Sequence, residues 1–214
     1  NKPARIPEKH SETAFMTNRA MEFIEESKDK PWFLHLSYIK PHWPYMAPAP
    51  YHNMYSANEF YPVHRNDAER NNDHPVYKAF MENSISKTFS KDEVRNTVLS
   101  GYMGLIKQID DNLGRLFKFL EDAGHMEDTM IVFTSDHGDY HGDHWLGEKE
   151  LFHEQSVRVP MIIYDPSEHA NKTRGTKEKR FIEAIDLLPT FLDAVESPVS
   201  KHRLEGNSLM PVIK

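Results

Sequence analysis

An acid and an imidazole stand side by side in the segment TSDHGD at residues 134–139, directly after an apolar run. At the end of a strand, Asp136 and His137 could direct two ligands into one crevice. A carboxylate with an imidazole suits Mn²⁺, Zn²⁺ or Fe²⁺, whereas Ca²⁺ and Mg²⁺ prefer oxygen ligands. The alternative is a turn in which Asp136 caps the next element.

Two basic side chains could bind an anion. Lys149 ends the segment 139–149, which is too polar for a core element and therefore either forms an exposed loop or lines a site. A fixed positive charge there could stabilise a substrate oxyanion. His42 lies between two prolines that rigidify its loop, so its imidazole could bind an anionic ester or protonate a leaving group. A solvated lysine, and a histidine packed beside Trp43, are the competing interpretations.

Histidine is concentrated in one short part of the chain, which holds His137, His141, His144 and His153. Their spacings allow the hypothesis of a small zinc protein with three imidazoles on one helical face. Two glycines within the same segment disfavour a helix there.

The elements that must position these residues follow from the apolar patterns. Helices are predicted over 14–28, 91–123 and 185–195, and buried strands over 32–38, 129–134 and 159–164. We expect Thr13 and Asp186 to cap helices and the proline-rich stretch 41–62 to form an irregular, ordered loop. Apolar strands separated by amphipathic helices predict an α/β fold with a mostly parallel sheet, whose ligands lie beyond the carboxyl ends of the strands.

Composition limits the class of protein. The 214 residues are 38% apolar and 28% charged, which fits one globular domain. No apolar run is long enough for a membrane span, no signal peptide is visible, and a net charge of -7 without a basic face disfavours nucleic acid. The basic stretch 172–180 is interpreted as a solvated loop. Zero cysteines exclude disulfides and a thiol nucleophile from these residues.

Several motifs, taken in order, resemble the sulfatases of the alkaline phosphatase superfamily. They are KPH at 40–42, SDHG at 135–138, GEK at 147–149 and EQSVRVP at 154–160, with weaker similarities at 109–115, 185–190 and 206–211. Their order and spacing match the family over nearly the whole chain. The resemblance implies an alkaline phosphatase-like fold and a metal-dependent ester hydrolase.

The resemblance also implies roles for single residues. Asp136 and His137 correspond to metal ligands, Lys149 to the lysine that binds the sulfate or phosphate group, and His42 to the histidine that contacts the ester oxygen. Many sulfatases have asparagine where this chain has His137, and those are expected to use Ca²⁺. An Asp-His pair is closer to the phosphonate monoester hydrolase and phosphodiesterase branch, in which Mn²⁺ is common. Arg158 and Asp186 are similar to residues with structural roles.

One element of the family is absent from these residues. The family's nucleophile lies in a Cys/Ser-x-Pro-x-Arg motif, usually converted to formylglycine, and neither that motif nor the early aspartates of the metal site occur here. The resemblance therefore implies that residues 1–214 are the middle-to-late portion of one catalytic domain, incomplete at its N-terminal side. We expect the chain to supply part of the metal and anion site and to be inactive by itself.

The expected activity is hydrolysis of a small-molecule sulfate ester. A phosphodiester or phosphonate monoester hydrolase is the nearest alternative, and a non-catalytic binding module on the same scaffold is another. An incomplete sheet exposes an edge that favours pairing with another chain, so a homo-oligomer is also an open alternative.

Overall fold

The structure is a computed structural model, and it describes residues 2–71 and 74–214. The chain forms two compact units, each built from two separate segments. Unit 1 consists of Asn1–Ala123 and His137–Arg158, and unit 2 consists of Gly124–Asp136 and Val159–Lys214. No helix in the described part of the chain is long and apolar enough to cross a bilayer.

Unit 1 is mainly helical. Its helices are α1 (Glu12–Ser27), α2 (Pro75–Glu82), α3 (Ser84–Phe89), α4 (Asp92–Asp122) and α5 (Glu154–Val157). Short 3-10 turns occupy Glu8–His10, Tyr51–Asn53, Ala57–Glu59, Asp67–Asn71 and Asp143–Trp145. No element was predicted for the stretch that forms α2 and α3, where Pro75 begins one short helix and the Asn83 side chain caps the next.

The long helix α4 organises unit 1, and its extent confirms the prediction over 91–123. Its buried face includes Leu105 and Leu116, as the apolar stripe indicated. Polar side chains on the same helix hold the N-terminal part of the unit, because Gln108 Nε2 donates to Ser11 Oγ at 2.7 Å. Gly104 lets the proline-rich loop come close to α4, since a Cβ there would lie 2.2 Å from the carbonyl oxygen of Tyr51.

The N-terminal cap of α1 differs from the predicted one. Ser11, not Thr13, accepts a hydrogen bond on its side chain, from the backbone N–H of Ala14 at 3.2 Å. Thr13 lies inside the helix, and its side chain is buried. Serine is as good a cap as threonine, so the residue type alone could not place the helix start two positions earlier.

The strand predicted over 32–38 is not a strand in the structure. Burial nevertheless alternates along this segment, with Leu34 and Leu36 half-buried while Phe33 is 69% exposed. Such a two-residue period is typical of extended chain. A strand also needs a neighbour to bond its backbone groups, and within residues 2–71 and 74–214 the only ladder joins two other segments.

Unit 2 contains that ladder. Strand β1 (Ile131–Thr134) pairs with β2 (Met161–Tyr164) in antiparallel register, so that Thr134 stands opposite Met161. The predicted parallel arrangement is therefore not found for this pair. A parallel connection requires a crossover, usually a helix that packs on the sheet. The segment 135–160 between β1 and β2 is long enough for one, but it holds the short 3-10 turn Asp143–Trp145 and the four-residue helix α5 instead.

The rest of unit 2 follows β2. Helices α6 (Leu187–Ala194) and α7 (Met210–Ile213) are joined to it through 3-10 turns at Glu168–Lys172, Ala184–Asp186 and Lys201–Arg203. Asp186 does not cap α6 with its side chain, contrary to the prediction. Its carboxylate accepts instead from the backbone N–H groups of Glu183 and Asn207, at 2.9 and 2.8 Å. The basic stretch 172–180 is almost entirely exposed, as predicted.

Candidate functional site

The loop that follows residue 39 fixes the position of His42. Lys40 Nζ donates to the carbonyl oxygens of His42 and Pro44, at 3.4 and 3.1 Å, and so closes the turn around the imidazole. Burial lowers the pKa of Lys40 from its ordinary value, and the charge of Glu12 opposes that shift. The irregular loop predicted from the prolines is thus a rigid support for one side chain.

His42 forms a pair with Lys149, although 107 residues separate them in the chain. Lys149 Nζ lies 2.8 Å from His42 Nε2, and His42 Nδ1 lies 3.2 Å from the carbonyl oxygen of Trp43. A carbonyl can only accept and an ammonium can only donate. The two partners therefore assign the neutral tautomer to His42, with the proton on Nδ1 and with Nε2 accepting from the lysine.

His137 joins this pair. The centres of the His42 and His137 rings are 5.9 Å apart, with the rings at 71°. His137 Nδ1 lies 2.7 Å from the carbonyl oxygen of Gly138, and because a carbonyl can only accept, this contact places a proton on Nδ1. The structure thus brings together three of the four site residues predicted from the sequence.

Asp136, the fourth predicted residue, belongs to the other unit. It is the last residue of the first segment of unit 2, and its peptide bond joins it to His137 in unit 1. In the described ranges, 2–71 and 74–214, no group of three or more His, Asp or Glu side chains could hold a metal ion. The Nδ1 atom of His137 contacts a backbone carbonyl oxygen, an arrangement that is typical of metal-binding histidines.

Gly138 allows the segment that carries His137 to pack against α5. Its N–H donates to the carbonyl oxygen of Ser156 at 2.7 Å, and a Cβ at this position would lie 2.0 Å from the carbonyl oxygen of Gln155. Such a distance is far inside van der Waals contact. Only glycine therefore fits at this point of the site.

A tight loop from Tyr140 to Glu148 leads to Lys149. Two backbone bonds close it, from Tyr140 N to Glu148 O and from Gly142 N to Leu146 O, both 2.8 Å long. Non-glycine residues with positive φ cluster in this loop: His141, His144, Trp145 and Glu148. Each such conformation costs on the order of 1 kcal/mol, so contacts with the surrounding residues must stabilise the loop enough to offset this strain.

A buried cluster lies behind this loop, and no pattern in the sequence predicted it. Tyr45 Oη donates to Asp139 Oδ2 at 2.7 Å, and Asp139 Oδ1 accepts from the backbone N–H of His141 at 3.1 Å. The His141 ring, only 7% exposed, packs against Tyr102 with ring centres 4.3 Å apart. Burial lowers the pKa of His141, Asp139 opposes that shift, and the charge of Arg95 adds to it.

These pKa directions predict that acid destabilises unit 1. The ordinary pKa of histidine is 6.5; because the folded value for His141 is lower, the unfolded chain binds the proton more readily. The stabilising contribution of His141 is therefore fully present above pH 6.5. It is lost as the pH falls from 6.5 through the lower pKa of the folded state. Chemical denaturation between pH 7 and pH 5 should show a falling free energy of unfolding.

His141→Asn tests the source of that slope, because asparagine does not titrate and tolerates the positive φ at this position. The variant should show a shallower loss of stability on acidification. Some slope should remain, since burial and the neighbouring His144 also lower the pKa of His153. An unchanged slope would show that His141 does not contribute.

The remaining histidines of the segment do not form the hypothesised zinc site. His144 and His153 are stacked, with ring centres 4.2 Å apart at 15°, and their Nδ1 atoms are engaged by Glu69 and by the Tyr140 hydroxyl. Rings stacked face to face cannot direct their nitrogens at one ion. The segment also forms no helix that would line up the imidazoles, because only the 3-10 turn Asp143–Trp145 lies between His137 and His153.

Comparison with known proteins identifies the family. A family model described as Sulfatase matches residues 1–197. A multifunctional alkaline phosphatase superfamily protein of Trinickia caryophylli is 38% identical over all of this chain, and an arylsulfatase of Clostridium perfringens is 31% identical over 94% of it. A phosphonate monoester hydrolase structure from Agrobacterium radiobacter superposes with a TM-score of 0.90 over 99% of the chain, at 30% identity.

The chain belongs to the sulfatase family. The structural match confirms the α/β, alkaline phosphatase-like fold predicted from the sequence, and the family match confirms the resemblance drawn from the motifs. The chain spans only 43%, 42% and 44% of the lengths of these three relatives. It therefore represents less than half of a sulfatase-family protein of that size.

Proposed function

We propose that the protein hydrolyses sulfate esters and that this chain binds the ester's anionic group through Lys149 and His42. The observation that carries the proposal is the 2.8 Å contact between Lys149 Nζ and His42 Nε2, beside the ring of His137. An ammonium carries three N–H donors, and one of them is used on His42. The other two can bind the oxygens of a sulfate group.

The contact with His42 gives the lysine a defined direction. Lys149 offsets negative charge on the transferred group, and preorganised donors of this kind need no rearrangement as charge develops. Neutral His42 offers no proton from Nε2, so protonation of a leaving alcohol would require Lys149 to pass a proton to that atom first. Hydrogen bonding to the departing oxygen by a free N–H of Lys149 is the simpler role, with His42 fixing the direction of the ammonium.

Asp136 and His137 are proposed to hold a divalent ion, Ca²⁺ or Mn²⁺, as the two ligands that this chain supplies. When bound, such an ion polarises the non-bridging oxygens of the ester and lowers the pKa of the nucleophile. A formylglycine nucleophile would come from the part of the relatives' length that this chain does not span. The 214 residues alone are therefore expected to bind metal weakly and to lack turnover.

Hydrolysis of phosphonate monoesters or phosphodiesters is the second candidate. His137 favours it, because an imidazole next to the aspartate suits Mn²⁺ better than Ca²⁺. The similarity to a protein named phosphonate monoester hydrolase, with a TM-score of 0.90, supports it as well. In both cases the proposed anion-binding pair would face an ester with a single negative charge, so the two activities differ in the central atom and in the shape of the transferred group.

The full-length protein should be assayed with 4-nitrophenyl sulfate and with the 4-nitrophenyl monoester of phenylphosphonate, each in Ca²⁺ and in Mn²⁺. A higher kcat/KM for the sulfate supports the main proposal, and a higher value for the phosphonate ester, with Mn²⁺, supports the second. Binding of both esters without turnover in either metal would indicate the non-catalytic module instead. Turnover by residues 1–214 alone would contradict the proposed origin of the nucleophile.

A further inference from the structure

Ser156 connects the two segments that carry the candidate site residues in unit 1. It lies in the short helix α5, and only 4% of it is exposed. Its hydroxyl donates to the carbonyl oxygen of Lys149 at 2.7 Å, and its own carbonyl oxygen accepts from the N–H of Gly138 at 2.7 Å. One buried residue is thus bonded to the backbone of Lys149 and to the residue after His137.

The backbone before Lys149 is tied to a buried residue, because the carbonyl oxygen of Glu148 accepts from the N–H of Tyr140 at 2.8 Å. Residues 149–153 form neither helix nor strand, and Glu148, directly before the lysine, has a φ of 60°. The N–H of Lys149 donates to the carboxylate of Glu150, an exposed neighbour in the chain. The bond from Ser156 fixes the carbonyl group of Lys149 itself.

We propose that Ser156 is a positioning residue that holds the backbone of Lys149 so that its ammonium reaches His42 and the bound anion. This inference rests on the proposed anion-binding role of Lys149. A long side chain amplifies any movement of its backbone, and a misplacement of about 1 Å in an active site can reduce the rate ~10²-fold. The hydroxyl acts on the lysine alone, because the bond to Gly138 uses the backbone carbonyl of Ser156.

The test is a double-mutant cycle in the full-length protein, with kcat/KM for the better of the two 4-nitrophenyl esters as the readout. Ser156→Ala removes only the bond to Lys149 and should lower kcat/KM by roughly 10–100-fold. In the background of Lys149→Ala the same change should alter kcat/KM by less than about twofold, because residues that act through one group are strongly non-additive.

Ser100→Ala is the matched control. The hydroxyl of Ser100, in α4, donates to the carbonyl oxygen of Tyr55 at 2.7 Å, so this variant deletes a bond of the same chemistry and length elsewhere in unit 1. It should cost a similar amount of thermal stability and leave kcat/KM unchanged. If Ser156→Ala does not fold, Ser156→Cys, a nearly isosteric change with a weaker donor, takes its place in both backgrounds.

The outcomes separate this inference from the proposed function. If Lys149→Ala alone has no effect on kcat/KM, the proposed role of the lysine is wrong. If Lys149→Ala reduces kcat/KM but the serine substitution has equal effects in both backgrounds, Ser156 does not act through the lysine and the inference is overturned. A serine variant with wild-type kcat/KM would overturn it as well.

Discussion

Replacing Lys149 with alanine should lower the kcat/KM of the full-length protein for its ester by ~10²–10³-fold, the usual cost of removing one preorganised charge-stabilising donor. Lys149 Nζ lies 2.8 Å from His42 Nε2, so the substitution removes the ammonium and also the donor that fixes the imidazole. Much of the loss should fall on kcat, because the interaction strengthens as charge develops on the transferred group.

Two further variants test whether the loss depends on the compact ammonium at position 149 and not merely on removing a lysine. Lys149→Arg keeps the positive charge but replaces the compact ammonium with a planar fork, so it should recover little of the activity. Lys118→Ala removes a lysine that pairs with Asp122 on the exposed surface of α4, and it should leave kcat/KM unchanged. Full activity in Lys149→Ala would rule out the lysine as the anion-binding group.

The second large effect is expected for Gly138→Ala. The new Cβ would lie 2.0 Å from the carbonyl oxygen of Gln155 and 3.4 Å from the Cα of Ser156, both backbone atoms that cannot swing aside. We expect a loss of about 3 kcal/mol in the free energy of unfolding, as for severe overpacking. The displaced segment carries His137, so activity should fall at least ~10²-fold even in molecules that remain folded.

Gly114→Ala provides the comparison. Gly114 lies within α4, and no atom outside its own helical backbone comes within 4 Å of the position of a Cβ there. Alanine is the better helix former by roughly 1 kcal/mol, so this variant should be at least as stable as the parent. Equal stabilities of the two alanine variants, measured by denaturant unfolding, would contradict the close approach at Gly138.

Local sequence patterns correctly predicted the elements whose backbone hydrogen bonds form within one continuous segment. The apolar stripe of α4 predicted its extent to within a residue, because the helix forms its backbone bonds within itself. The prediction of a strand over 32–38 was wrong for the opposite reason, since a strand depends on a partner strand that a local pattern does not specify. The antiparallel pairing of β1 with β2 depends in the same way on the path of the connecting chain.

The candidate site was also predicted only in part, because its residues could be selected from the sequence but their contacts could not. Residue types and family resemblance selected His42, His137 and Lys149, but they could not show that Lys149 donates to His42 or which nitrogen of His42 carries the proton. The bond from Tyr45 to Asp139 spans 94 residues. No spacing rule predicts such a contact. Ser156 lay inside a recognised motif, yet its role depends on two backbone groups that carry no sequence signal.

The interleaving of the two units has a consequence for protein synthesis. Unit 1 is completed only when His137–Arg158 has been made, after the chain has already contributed Gly124–Asp136 to unit 2. At ~5–20 residues per second on a ribosome, the helical part of unit 1 waits several seconds for the segment that packs against it. During that interval the surfaces that will bury Tyr140 and Leu146 are open to other chains and to chaperones. Slower translation across residues 124–158 would lengthen this exposure and should reduce the yield of soluble protein.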